Sequence, residues 1–324
     1  MHAVKSLTFL LGAASAVWAA VLPPREPTEV AEAIASRDAV LVDLAERATS
    51  PISTAELSGY LPYTRFAGAA YCPPTRVSSW NCGSHCSGIP GFKPTLVGGD
   101  GNIIQYYYVG YYAAANTVIV AHQGTDPTQF VSVLTDLNIL LDPLDRQLFP
   151  GVPSNVLVHS GFMNTHALTA TRILAEVRRL MAAHSTTTVT VAGHSLGGAL
   201  ATLDAVYFRV NLPANTRIVA RTFGLPRVGN PAFASYFDSL NIDFRRINNA
   251  RDVIPIVPGR GLGFSHPSGE VRLLSQGRAI SCSGLDNASD SQCQVSAVPN
   301  IFLGSILDHL GPYEGQYLGT IFCN

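Results

Sequence analysis

A serine at a junction between two kinds of secondary structure is the residue best placed to do chemistry. In "TVTVAGHSLGGAL", residues 188–200, β-branched residues precede Ser195 and helix-forming residues follow it. The pattern G-x-S-x-G spans residues 193–197, and its glycines allow a strand and a helix to approach closely at a sharp turn. At the N-terminus of a helix, backbone N–H groups favour developing negative charge. The stretch predicts a nucleophile, although glycines that only permit tight packing around a capping serine are the alternative.

A serine hydroxyl reacts only when a base takes its proton and a carboxylate orients that base. On the sheet topology that carries such a turn, both partners follow the serine, acid first. Of the nine histidines, His266 and His309 follow Ser195. We predict His309 as the base because its late loop-to-helix segment can fold back over the sheet. For His266 we expect a structural hydrogen bond, for example with Glu270.

Asp252 is the predicted acid. It directly follows a predicted strand in "FRRINNARDVIP", where a loop would bring it to the reactive edge of a sheet. The other aspartates are placed less well. Asp204 lies inside the helix after the serine, Asp308 is adjacent to the histidine, and Asp243 precedes its strand.

The elements around these residues alternate between strand and helix patterns. Residues 103–125 read as two strands around a turn at 114–116, rich in aromatic and β-branched residues. Residues 163–184 have helical periodicity, with an inner face that we predict from Leu168, Ile173, Leu174, Val177 and Leu180. Alternation of this kind predicts an α/β fold, a mostly parallel sheet with helices on both faces, in one domain over residues 51–324.

Composition excludes several classes of protein. Apolar residues make up 47% of the chain and charged residues 13%, which is ample for a large core. The formal net charge is −1, so nothing suggests a nucleic acid or an electrostatically bound membrane as partner.

The N-terminus resembles a targeting segment. Lys5 precedes a short apolar run that ends in small residues and is soon interrupted by Pro23 and Pro24. We predict a signal peptide over residues 1–19, with a retained anchor as the alternative, and a pro-segment or N-terminal extension over residues 20–50. No later segment is long enough to span a membrane, so we expect a secreted, extracellular protein without a transmembrane anchor.

Export changes how the cysteines are interpreted, since disulfides persist in oxidising compartments. The chain has six cysteines: Cys72, Cys82, Cys86, Cys282, Cys293 and Cys323. Six cysteines allow fifteen pairings, and spacing alone does not choose among them. With His85, "CGSHC" could instead be half of a zinc site, but no second pair with ligand spacing exists, and we predict no metal.

A polar loop between Cys282 and Cys293 contains "NAS". Its first residue, Asn287, is the chain's only N-x-S/T acceptor and would lie on an exposed turn. We predict glycosylation there if the protein is eukaryotic.

From about Ala69 onward the sequence resembles the secreted fungal class 3 lipases, which have the α/β-hydrolase fold. The resemblance rests on these motifs, in the family's order: "AAYC", "NCGSHC", "AHQGTD", "VHSGF", "GHSLGGALA", "TFGLPRVGN", "RDVIPIVP", "HPSGEV" and "LDHLGPYEG". It implies a triad of Ser195, Asp252 and His309. It also implies disulfides 72–323, 82–86 and 282–293.

The same resemblance implies an oxyanion hole, built from the backbone N–H of Leu196 and from Thr125 in "HQGT". One residue departs from the family. Two positions before Gly124 stands His122, where many relatives have phenylalanine. We interpret it as an ordinary histidine at a strand end, without a role in proton transfer.

The segment after Thr125 bears on the substrate. Phe130, Val133, Leu134 and Leu137 are spaced i, i+3, i+4 and i+7, which gives one apolar helical face. A fixed core helix would show the same pattern, but in the family this position holds a lid, which we predict over residues 126–135. An apolar lid suits a lipid–water interface.

These features predict a serine hydrolase that cleaves triacylglycerols through an acyl-enzyme, as a monomer and without a cofactor. Two alternatives remain. One is an esterase for feruloyl or other soluble esters on the same fold. The other is a non-catalytic lipid-binding relative, which would be expected to have lost one of the three triad residues.

Overall fold

A nine-stranded mixed sheet forms the centre of the fold that the structure describes. The computed structural model describes residues 49–125 and 140–323. The predicted signal peptide, nearly all of the predicted pro-segment and the predicted lid lie outside the described residues. The strands are β1 (Ser50–Pro51), β2 (Lys93–Gly98), β3 (Tyr107–Tyr112), β4 (Thr117–His122), β5 (Leu141–Pro143), β6 (Leu157–His159), β7 (Thr188–His194), β8 (Arg217–Phe223), β9 (Asp243–Asn249), β10 (Glu270–Ser275) and β11 (Arg278–Cys282).

The strand order in this sheet is β1-β11-β10-β9-β8-β7-β4-β3-β2, and β5 pairs with β6 separately. The central strands β4, β7, β8, β9 and β10 are parallel, whereas the pairs towards both edges are antiparallel. This confirms the predicted α/β-hydrolase class of fold. Because parallel strands end at the same edge, the loops after β4, β7 and β9 meet there. These loops carry Thr125, Ser195 and Asp252.

Helices cover the sheet. They are α1 (Thr54–Gly59), α2 (Leu61–Ala69), α3 (Pro74–Ser78), α4 (Gly83–Ser87), α5 (Ser160–Ala167), α6 (Ala170–His184), α7 (Leu196–Asn211), α8 (Pro231–Ser239), α9 (Gln294–Ala297) and α10 (Leu307–Leu310). Short 3₁₀ turns lie at Ala113–Ala115, Ile254–Ile256, Arg260–Leu262, Ile301–Leu303 and Thr320–Phe322.

β7 and α7 lie deep in the core. Every β7 residue from Val189 to His194 is buried, as expected for a parallel strand covered on both faces. On α7 all residues from Leu196 to Phe208 are buried, including a charged one, Asp204. Because packing on all sides fixes the position of α7, it also fixes the serine at the N-terminus of this helix.

The predicted helix over residues 163–184 is two helices, α5 and α6, which meet around Leu168 and Thr169. Four of the five predicted inner residues are buried, but Leu168 is 54% exposed. The prediction was wrong for Leu168 because the helix breaks there. A helical periodicity that ignores the break wrongly assigns this side chain to the inner face.

Three disulfides join parts of the chain: Cys72–Cys323, Cys82–Cys86 and Cys282–Cys293. These are the pairs that the family resemblance implies. Cys82 and Cys86 are bonded to each other, so neither is free to act with His85 as a zinc ligand. Within the described ranges, no helix has the length and apolar character needed to cross a membrane.

Candidate active site

Ser195 occupies a strained turn between β7 and α7. Its φ is 58° and its ψ is −129°, a conformation that non-glycine residues adopt only when the surroundings enforce it. Its N–H donates to the carbonyl of Phe223 on the neighbouring strand at 3.0 Å. A Cβ on Gly193 would overlap the carbonyl of Gly197, and a Cβ on Gly197 would overlap the carbonyl of His122. The glycines of the motif are therefore required by close backbone approach.

Asp252 and His309 form a buried pair at the same edge of the sheet. Nδ1 of His309 lies 2.8 Å from Oδ2 of Asp252, and both side chains are 0% exposed. An ionised carboxylate only accepts, so Nδ1 carries the proton and Nε2 is left as the acceptor. Oδ1 of Asp252 accepts from the N–H of Ile254 at 2.8 Å, which fixes the carboxylate.

Two reactive atoms remain without a hydrogen-bond partner in the described part of the chain. They are Oγ of Ser195 and Nε2 of His309, and both are buried. Gly224, with φ of +54°, leaves room for the histidine, since a Cβ there would lie 2.6 Å from the ring of His309.

The loop after β4 lies against the serine. A Cβ on Gly124 would come within 2.9 Å of Cβ of Ser195 and 2.5 Å of the His194 carbonyl. Thr125, the next residue, is half-buried, and Leu196 is the first residue of α7. The two predicted oxyanion donors thus flank the serine on two different elements.

Sequence reasoning missed three side chains that support His309. Nδ1 of His194 lies 2.6 Å from Oη of Tyr71, and its Nε2 lies 2.7 Å from the carbonyl of His309. Oη of Tyr313 lies 3.2 Å from the same carbonyl and 3.4 Å from Oδ2 of Asp252. The position of Tyr313 in "DHLGPY", four residues after the base, is the one signal that could have suggested its role.

Burial governs the charge of these supporting groups. It lowers the pKa of His194 well below its usual value, and the neighbouring His309 lowers it further. Burial also raises the pKa of Tyr313 well above its usual value, and the nearby Asp252 adds to the effect. His194 is therefore a neutral imidazole and Tyr313 a neutral phenol near neutral pH. Neither adds a charge beside the pair of His309 and Asp252.

The residues not chosen as acid or base have other partners. His266 is buried, and its Nε2 lies 2.8 Å from the carbonyl of Pro255. The expected structural bond thus exists, but with a different acceptor, because Glu270 pairs with Arg246 at 2.9 Å. Asp308 accepts from the N–H of Arg251 at 2.9 Å.

Asp243 opens β9, where it pairs with Arg217 and Arg221 at 2.8 and 2.7 Å. It lies at the opposite end of its strand from the loop that carries Asp252.

Asn287 lies in a more enclosed position than its turn-like sequence suggests. It is 5% exposed, and its Nδ2 donates to the carbonyl of Ser283 at 3.0 Å. Its Oδ1 accepts from the N–H groups of Ser289 and Asp290, both at 3.1 Å. Glycosylation at Asn287 remains a prediction, and in this geometry a glycan would have to be attached before the loop folds.

Comparison with known proteins agrees with this architecture. The family model described as Lipase (class 3) matches residues 119–262. A lipase of Rhizopus niveus is 31% identical over 275 residues, which are 81% of this chain and 64% of that protein. A secreted mono- and diacylglycerol lipase of Malassezia globosa is 32% identical over 190 residues, 57% of this chain and 62% of that protein. The chain thus spans somewhat less than two thirds of the length of either relative.

A solved structure is similar over most of the chain. It is described as a triacylglycerol lipase whose catalytic centre is a serine protease triad. Its TM-score is 0.72 at 27% identity, and the match covers 84% of this chain and 99% of that one. The fold, the motifs and these similarities define the class: the chain belongs to the class 3 lipase family of α/β-hydrolases.

Proposed function

We propose that this chain hydrolyses carboxylic esters, chiefly triacylglycerols, through an acyl-enzyme on Ser195. The observation that carries the proposal is the buried pair of His309 and Asp252, 2.8 Å apart, beside a serine held in a strained turn. A structural serine would have no need of such a backbone conformation. Strain of this kind is characteristic of functional sites.

Each proposed role follows from the chemistry of one group. Oγ of Ser195 attacks the ester carbonyl while Nε2 of His309 accepts the hydroxyl proton. Asp252 stabilises the resulting imidazolium, and the N–H groups of Leu196 and Thr125 bind the oxygen that becomes negative. His309 then returns the proton to the leaving alcohol. A water molecule, activated in turn by His309, attacks the acyl-enzyme and releases the fatty acid from Ser195.

The substrate class is supported from two sides. The relatives bear the names of lipases, one of them for mono- and diacylglycerols. In the sequence, the apolar face of Phe130, Val133 and Leu134 suits a lid over residues 126–135 that opens at a lipid–water interface. The protein would act outside the cell, since the Malassezia relative is named as secreted and the first 19 residues have the pattern of a signal peptide.

The test is initial rate against concentration for emulsified triolein and for methyl ferulate. Ser195→Ala is expected to lower both rates by at least about 10³-fold, because the nucleophile is lost. Ser239→Ala, at an exposed serine at the end of α8, is the matched control and should match the unsubstituted protein.

The shape of the curves identifies the substrate class. A triolein rate that rises steeply above the solubility limit, with little ferulate turnover, supports an interfacial lipase. A preference for ferulate without such a rise would move the protein to the soluble esterases. If neither these substrates nor mono- and diacylglycerols are turned over, the alternative of a non-catalytic lipid-binding relative would be favoured.

A further inference from the structure

A second buried cluster of titratable groups lies behind the serine. Nε2 of His122 lies 2.7 Å from Oδ2 of Asp204, and Nε2 of His166 lies 2.9 Å from Oδ1. Asp204 is 0% exposed and each histidine 1% exposed. The three residues come from three elements, β4, α7 and α5. None of them has a part in the proposed ester chemistry.

Asp204 is an anion at working pH. Burial alone would raise the pKa of its carboxyl, but the charge and hydrogen bonds of His122 and His166 oppose this and lower it to about 2. In the part of the chain that the structure describes, these two histidines are the hydrogen-bond partners of its carboxylate oxygens. A buried carboxylate with one oxygen on each imidazole has little freedom to turn, because either movement breaks a charge-assisted hydrogen bond.

His122 is also the residue at which the oxyanion loop begins. It ends β4, and Gln123, Gly124 and Thr125 follow. Gln123 joins the loop to Tyr106, the residue before β3: the N–H of Gln123 donates to the Tyr106 carbonyl, and its Oε1 accepts from the Tyr106 N–H, both at 2.8 Å. The imidazole of His122 joins the start of the loop to α7 as well, through its hydrogen bond with Asp204.

We propose that Asp204 and His122 are positioning residues that set the oxyanion loop at Thr125 against the N-terminus of α7 at Leu196. The two predicted oxyanion donors lie on separate elements, and a donor acts only when its distance to the developing charge is correct. The hydrogen bond between His122 and Asp204 joins these elements directly, and His166 holds the second oxygen of Asp204. The inference rests on the proposed ester hydrolysis.

Four variants test the proposal. His122→Phe removes this hydrogen bond and leaves Asp204 with one partner. His122→Phe combined with Asp204→Leu removes the hydrogen bond without leaving a buried unpaired charge, which is far better tolerated. Asp204→Asn keeps an acceptor towards His122. Its amide N–H can donate to Nε2 of His166 when that neutral ring carries its proton on Nδ1. The matched control is His85→Phe, at a buried histidine of α4 that packs against Gly68 of α2.

The measurement compares p-nitrophenyl butyrate with its thiono analogue, in which sulfur replaces the carbonyl oxygen and benefits little from an oxyanion hole. We expect His122→Phe and the double variant to lower kcat for the oxygen ester about tenfold or more. KM should stay within about twofold, and the oxygen-to-sulfur rate ratio should fall in parallel. Asp204→Asn and His85→Phe should keep that ratio within about twofold of the unsubstituted protein.

The proposal is overturned if both substrates lose rate in equal proportion, since that is the behaviour of a merely structural cluster. If His122→Phe does not fold, the double variant decides by the same ratio. Ser195→Ala separates this outcome from a failure of the proposed function. A protein whose ester turnover depends on Ser195 but whose ratio is unmoved contradicts only the positioning role.

Discussion

At the scale of the residue, orientation matters more than the presence of a side chain. The ring of His309 is held at Nδ1 by Asp252, and its backbone carbonyl is held by His194 and Tyr313. Asp252 is held in turn by the N–H of Ile254. The base is thus placed by a network, in which the carboxylate alone selects the tautomer.

Asp252→Asn tests that selection. An asparagine amide can present N–H to the histidine, which then carries its proton on Nε2 and cannot accept one from Ser195. We expect kcat on a soluble ester to fall by about 10⁴-fold with little change in KM. Asp243→Asn is the control, because Asp243 pairs with arginines at the other end of β9. A loss below about tenfold for Asp252→Asn would contradict the proposed role of Asp252.

At the scale of the element, the segment from the 3₁₀ turn at Ile301–Leu303 to the first residue of α10 exposes apolar side chains. Phe302 is 89% exposed and Leu307 71%. Asn300 holds the turn, since its Oδ1 accepts from the N–H groups of Phe302 and Leu303 at 3.0 and 3.1 Å. The N–H of Ser305 donates to the carbonyl of Arg251 at 2.7 Å, next to Asp252. The segment therefore exposes apolar side chains, and its backbone is hydrogen-bonded to the residue before the proposed acid.

Phe302→Ser tests whether this segment contacts lipid. Removing an aromatic side chain from an interface weakens adsorption in proportion to the apolar area lost. We expect the triolein emulsion rate to fall about fivefold to tenfold, while the rate on soluble p-nitrophenyl butyrate stays within about twofold. Phe302→Leu retains apolar area and should keep most of the emulsion rate. Equal losses on both substrates would show that the substitution acts on the site rather than on adsorption.

At the scale of the whole molecule, the disulfides differ mainly in how much chain they enclose. Cys72 and Cys323 are 251 residues apart, whereas Cys82 and Cys86 are 4 apart. The first bond joins the segment after α2 to the C-terminus. A crosslink limits the freedom of the unfolded chain, and this effect grows with the length of the loop that it closes.

The two double-serine variants should therefore lose stability to different extents. Loop entropy predicts a loss of roughly 5 kcal/mol in the free energy of unfolding for Cys72→Ser with Cys323→Ser, and roughly 2 kcal/mol for Cys82→Ser with Cys86→Ser. Urea unfolding at pH 7 measures both. Similar losses in the two variants would mean that local packing, not chain entropy, governs these bonds.

Local features of the sequence predicted much of the fold and the candidate site. The strained turn at Ser195 can be recognised from five consecutive residues, because close backbone contact there admits only glycine at Gly193 and Gly197. Asp252 was predicted because it follows a strand, and parallel strands bring such residues to one edge. Periodicity failed at Leu168, because a break in a helix depends on what the next turn packs against.

By itself the sequence determined the α/β class, the strained serine turn and the candidate acid and base, since each depends on neighbouring residues or on strand order. Only the tertiary structure decided which distant groups share a buried environment. His122, His166 and Asp204 lie in separate segments, and no local pattern connects them. Their association is set by burial, because an anion enclosed in the core is stable only where other elements bring it hydrogen-bond donors.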